Sequence, residues 1–95
     1  MVQVIENRAV LEGRLVDLRD DESRPGHKLA TIDVQLILPV GTYPNLLAEA
    51  TGTRLDVVLP EVVARSLQPG GNIRCRVRRT GPATVFGESC SAIGK

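Results

Sequence analysis

Aromatic side chains are almost missing from this sequence: Tyr43 and Phe86 stand alone, and there is no tryptophan among its 95 residues. A ladder of stacked rings is thereby excluded, so any affinity for nucleic-acid bases has to rest mostly on charge and depend strongly on salt. Histidine occurs once, as His27, and the two cysteines, Cys75 and Cys90, have no CxxC spacing. These counts rule against the usual zinc arrangements and offer no disulfide scaffold. No apolar run approaches the length needed to span a bilayer. The opening MVQVIENRAVLEGRLV lacks the basic segment and unbroken apolar stretch of a signal peptide, which gives the expectation of a cytoplasmic protein with no membrane partner. No acid and base pair, metal cluster, phosphate-binding loop, dinucleotide fingerprint or activated nucleophile is visible. The expectation is a protein that is not an enzyme and needs no cofactor or metal, with His27 a solvated loop residue.

A chain of this length sits near the lower end of what buries a useful core alone, so residues 1–95 are expected to form one domain. Association through a sheet face or edge would bury more apolar surface, and a homodimer or homotetramer is expected for that reason. Net charge is only +1, but its placement is uneven. From Arg54 onward the seven basic residues Arg54, Arg65, Arg74, Arg76, Arg78, Arg79 and Lys95 face three acidic ones, Asp56, Glu61 and Glu88. The second half can therefore present a positive face on a nearly neutral molecule.

Period-two alternation dominates the chain. In RAVLEGRLV (8–16), Leu11, Gly13 and Leu15 fall on one face, and the glycine permits a bend or bulge where a barrel wall curls. The charged DLRDDESRPGHK that follows reads as a solvated loop. The run LATIDVQLIL (29–38) is the clearest strand, placing Ala30, Ile32, Val34, Leu36 and Leu38 on one side and Ile37 on the other, with Pro39 as its stop. Residues 40–53 read as a loop with at most one helical turn. In TRLDVVLP, Leu55, Val57 and Leu59 point inward. Pro60 suits the start of a helix over EVVARSL (61–67), about two turns long and formed by packing rather than propensity. A Pro-Gly-Gly turn ends it. NIRCRVRR (72–79) is the most regular pattern, with Ile73, Cys75 and Val77 opposite Arg74, Arg76 and Arg78. The last strand, in ATVFGESCSAI, puts Val85 and Ile93 on one side and Phe86 on the other. By that parity Cys90 faces away from Cys75, and a bridge between them is not expected. The sum is an all-β chain, a five-stranded barrel with one short helix between the third and fourth strands.

In this order and spacing the chain resembles the bacterial single-stranded DNA-binding protein family and its primosomal relatives, which share the oligonucleotide-binding (OB) barrel. The likeness rests on NRAVLEGRL from Asn7 to Leu15, the apolar strand LATIDVQLIL, the segment RLDVVLPEVVARSLQPGG with its Asp-Val-Val, and NIRCRVRR. It covers nearly the whole chain, and its weight lies in the order of individually weak motifs. The resemblance implies a strand-borne surface for single-stranded DNA in a dimer or tetramer. Two departures stand out: the family stacks bases on several aromatics, and its members usually carry a long tail with an acidic tip that recruits replication proteins, whereas this sequence stops at Lys95. The expectation is therefore an accessory, plasmid, phage or primosome-type relative acting in replication or recombination. Nothing in the sequence reports a 2′-hydroxyl contact that would separate RNA from DNA.

Candidate nucleic-acid-binding residues follow. Arg74, Arg76 and Arg78 on one strand face can track phosphates, being two apart and so roughly 7 Å from one another, and Arg79 continues the patch. A solubilising wet face accounts for them equally well. Arg14, which falls where the resemblance places a contact, joins Arg54 and Lys28 as outer-face candidates beside Glu12 and Asp56. Phe86 and Tyr43 are the candidate stacking rings, against the alternatives of a subunit contact and a loop anchor. The competing function is a protein-interaction or structural module in which the arginines only confer solubility.

Overall fold

A computed structural model describes residues 7–41, 51–80 and 84–93. Five strands and one helical turn make up this part: β1 (Ala9–Asp20), β2 (His27–Pro39), β3 (Arg54–Pro60), α1 (Glu61–Ala64), β4 (Asn72–Arg79) and β5 (Val85–Ala92). Tyr43 and most of the central loop lie outside the described residues.

The strands close in the order β1-β2-β3-β5-β4, antiparallel throughout except where β3 meets β5 in parallel at Val58 and Phe86. A five-stranded barrel with a helix between its third and fourth strands is the OB fold. Its core is aliphatic: Leu11, Leu15, Ile32, Leu59, Ile73, Val57, Val77 and Cys75 are all fully enclosed. Glycine makes the tight wall possible at two points. A Cβ on Gly13 would meet the Asp33 carbonyl oxygen of β2, and one on Gly87 would meet the Leu59 side chain of β3. Both strands approach their neighbours more closely than any other residue allows.

Three β-bulges bend the wall and shift its alternation. Register shifts leave Val16 of β1, Gln35 of β2 and Glu88 of β5 without a partner in the ladder. Past Gln35 the parity of β2 reverses, so Leu36 and Leu38, expected inside, are 41% exposed, while Ile37, expected outside, packs against the core. Past Glu88 the parity of β5 reverses in the same way, and Cys90 comes to stand opposite Cys75. The two are disulfide-bonded, which corrects the expectation that they face apart and that the chain has no bridge. Cys75 is fully buried, as expected.

The charged stretch after β1 is less of a loop than its composition indicates, because the hairpin strands run on to Asp20 and back from His27. The buried Asp21 closes the turn: its carboxylate accepts hydrogen bonds from Ser23 N and Arg24 Nη1, both at 3.0 Å. The helix is shorter than expected, one turn over Glu61–Ala64 with Pro60 at its N-cap. Ala64 and, beyond the helix, Leu67 are its anchors to the core.

Candidate nucleic-acid interface

The outward wall of β4 carries Asn72, Arg74, Arg76 and Arg78, all exposed, because the alternating Ile73, Cys75 and Val77 are committed to the interior. Register sets their neighbours. Across β1 stand Arg14 opposite Asn72, Glu12 opposite Arg74 and Val10 opposite Arg76. Across β5 stand Ser91 opposite Arg74, Ser89 opposite Arg76 and Phe86 opposite Arg78. An open depression between Val10, Arg74, Arg76, Ser89, Cys90 and Ser91 follows this seam.

Two glutamates partly neutralise the row. Arg74 Nε donates to Glu12 Oε2 at 2.6 Å. Glu88, lifted out of the ladder by its bulge, lies 3.0 Å from Arg8 Nε, 3.9 Å from Arg76 Nε and 3.8 Å from Arg78 Nε. Among the described residues Arg8, Arg14, Arg74, Arg76 and Arg78 thus stand against Glu12 and Glu88, with Asp33 opposite Arg14 on the β2 side, which leaves an excess of positive charge on this wall. The face of β1, β2 and β3 is different. There Arg19 is shared between Asp17 and Asp56, and Thr31 donates to Asp56 Oδ1 at 2.7 Å. Arg54 Nε donates to Asp33 Oδ1 at 2.8 Å, and these hydrogen bonds hold the Asp33 carboxyl below its ordinary range, with the Arg14 charge adding to the effect. The same pairing raises Arg54 above its usual value.

The sequence candidates are thereby sorted. Arg74, Arg76 and Arg78 share one face, with Arg14 beside one end and Phe86 at the other. Arg54 lies on β3, separated from Arg14 by Asp33, and the three border a second depression with Pro69 and Gly70. Arg79 has the opposite parity and is half-buried opposite Val85; its backbone is held by Asn7, whose amide accepts from Arg79 N at 2.8 Å and donates to Arg79 O at 2.9 Å. Lys28, on the β1–β2 hairpin, is ion-paired to Asp20 at 2.5 Å, and that hydrogen bond raises its pKa. Phe86 is half-buried beneath the hairpin turn: the Arg24 guanidinium lies 5.5 Å from its ring centroid and the His27 ring meets it edge-on at 6.3 Å. His27 is accordingly not the fully solvated residue its loop setting indicated. Tyr43 lies outside the described residues. Sequence reading missed Arg8, Arg24 and Glu88. Arg24 is marked only by its turn, and the role of Glu88 depends on a bulge that no residue type announces.

Among the described residues no group of three or more His, Cys, Asp or Glu side chains is placed to hold a metal ion, and no helix is long and apolar enough to cross a membrane. Comparison with models of known protein families finds no match, and comparison with curated proteins finds none. The barrel architecture is therefore what defines the chain's class: an OB-fold protein, of a kind that binds nucleic acids or other proteins.

Proposed function

We propose that this protein binds single-stranded nucleic acid along the outward wall of β4 and β1, with DNA as its ligand, in an accessory role in replication, recombination or plasmid or phage maintenance. The observation that carries the reading is the row of Arg74, Arg76 and Arg78 with Arg14 at its end, which keeps an excess of guanidinium groups over its neighbours Glu12 and Glu88. Arginine guanidiniums clamp phosphates and stack under bases, and Phe86 next to Arg78 adds a phenyl ring. With so few aromatics the binding is electrostatic in character and weakens steeply with salt. Assembly of two or four chains would extend the wall, and the cytoplasm is the compartment in which such a ligand is met.

The exposed Leu36 and Leu38 favour a second reading, a protein-interaction module, because paired leucines on the outer face of a strand are a natural contact for another chain. Fluorescence anisotropy with a labelled single strand of about thirty nucleotides, long enough for one or more OB sites, separates the two readings. Saturable, salt-sensitive binding that prefers the single strand over a duplex supports the first. No binding at low salt and high protein concentration supports the second.

A further inference from the structure

Past Glu88 the end of β5 is paired from one side only. Among the described residues its pairing with β3 is at Phe86, before the bulge, while Ser89, Cys90, Ser91 and Ala92 pair with β4 alone. Ser89, Ser91 and Ala92 are exposed, and Cys90 is the member of this segment that packs against the core. Ile93 N donates to Asn72 O at 3.0 Å. Backbone-bonded pairs alternate along an antiparallel ladder, so the next two are Ser91 with Arg74 and Ser89 with Arg76. Cys90 falls between them, at a pair without backbone bonds, and its tie to β4 is the disulfide with Cys75.

The same segment forms one side of the arginine seam. Ser89, Cys90 and Ser91 line the depression with Arg74 and Arg76, and the bond stands between those two arginines along β4. Cys75 is fully enclosed whereas Cys90 is partly exposed, so Cys90 offers the sulfur that an outside thiolate reaches first. We propose that the Cys75–Cys90 bond is a redox latch: reduction by a dithiol frees the Ser89–Ala92 end of β5 from β4 and loosens the grip of the arginine seam on a bound strand. A thiolate of the dithiol bonds to Cys90 Sγ, and Cys75 leaves as a thiolate and takes up a proton. The second thiol of the dithiol then displaces Cys90, which takes up a proton in turn. Two electrons and two protons pass to the protein, which then holds two thiols, and the reductant ends as a disulfide. A freed segment has to be ordered again when a strand binds, which costs affinity. The release of β5 stands apart from the single-strand reading; its effect on binding rests on that reading.

Amide exchange and strand anisotropy test the latch on three samples: the oxidised protein, the protein treated with dithiothreitol, and Cys90→Ala. The amides of Ser89, Ser91 and Ile93 should exchange about tenfold faster in the reduced protein and in C90A, as in a locally opened unit, while those of Leu11 and Ile32 stay protected. Strand affinity at low salt should fall about fivefold, the scale of ordering one or two freed side chains. Reoxidation should restore both properties, and dithiothreitol should change nothing further in C90A. Unchanged exchange at Ser89, Ser91 and Ile93 overturns the latch. Loss of protection throughout the barrel overturns it too, since the bond would then staple the whole fold. Faster exchange with equal strand affinity in both forms overturns the control of binding and leaves the single-strand reading standing. Faster exchange with no strand binding by either form keeps the release of β5 and overturns the single-strand reading.

Discussion

Cys75 and Cys90 face one another across β4 and β5 with their Cα atoms 4.1 Å apart, and their sulfurs are bonded. The bond joins a fully buried strand residue to one that borders the arginine seam.

The bridge closes a separation of 15 residues, for which the loss of chain entropy in the unfolded state corresponds to about 3 kcal/mol. Urea unfolding with and without dithiothreitol should differ by about 2–4 kcal/mol. Protein purified without reductant should yield no free thiol after denaturation; two titratable thiols would contradict the bond. Such bonds persist in oxidising surroundings, so in a reducing cytoplasm the barrel would lose this contribution and rely on its aliphatic core.

Gly13→Ala should be destabilising out of proportion to its size. The added methyl would collide with the Asp33 carbonyl oxygen and come within 2.9 Å of Ile32 Cγ2, and a backbone atom has little room to retreat. A loss of about 1–3 kcal/mol, the usual cost of overpacking, is expected from denaturant midpoints. An unchanged midpoint would show that β1 and β2 are less tightly apposed.

Asn7 extends the ladder between β1 and β4 by pairing its side-chain amide with both backbone groups of Arg79. Asn7→Ala removes two hydrogen bonds from the part-buried Arg79 backbone, a cost of about 1–3 kcal/mol at the usual net worth of each. Amide exchange at Arg79 should accelerate in the variant and be slow in the parent; equal rates would remove Asn7 from this role.

Asp33 should titrate below its ordinary 3.8, because the Arg54 hydrogen bonds favour its ionised form. A carboxyl lowered in the folded state stabilises above its unfolded pKa, and this contribution is lost as pH falls through the folded value. In Arg54→Gln the carbon-13 carboxyl resonance of Asp33 should titrate closer to 3.8, while Arg14 retains part of the shift. An identical titration in parent and variant would contradict the pairing.

The alternating core of β4 is legible in the sequence because strict period two in NIRCRVRR leaves one way to bury Ile73, Cys75 and Val77; in TRLDVVLP, Val57 and Leu59 are buried as read, but Val58, read as outward, is buried with them. Gly13 is legible for the same kind of reason, since a glycine in an otherwise apolar alternation marks a bend or a close approach. The misread parities of β2 and β5 share one cause. The bulges at Gln35 and Glu88 are set by the closure of the wall, a tertiary constraint, and carry no residue signature. Each flips every later position on its strand, which exposes Leu36 and Leu38 and brings Cys90 to Cys75. The arginine row could be read from β4 alone. Its partners could not, because Glu12, Glu88 and Arg8 come from other parts of the chain.

The most direct test of the central claim replaces Arg74, Arg76 and Arg78 together with alanine and follows single-strand binding by anisotropy over a series of salt concentrations. With about 0.7 per lost phosphate contact on a single strand, the slope of log affinity against log salt should shrink by about two, together with a large loss of affinity at low salt and a retained barrel by circular dichroism. Equal affinity and equal slope in the parent and the triple variant would place the nucleic-acid surface elsewhere and leave the arginine face as solubilising charge.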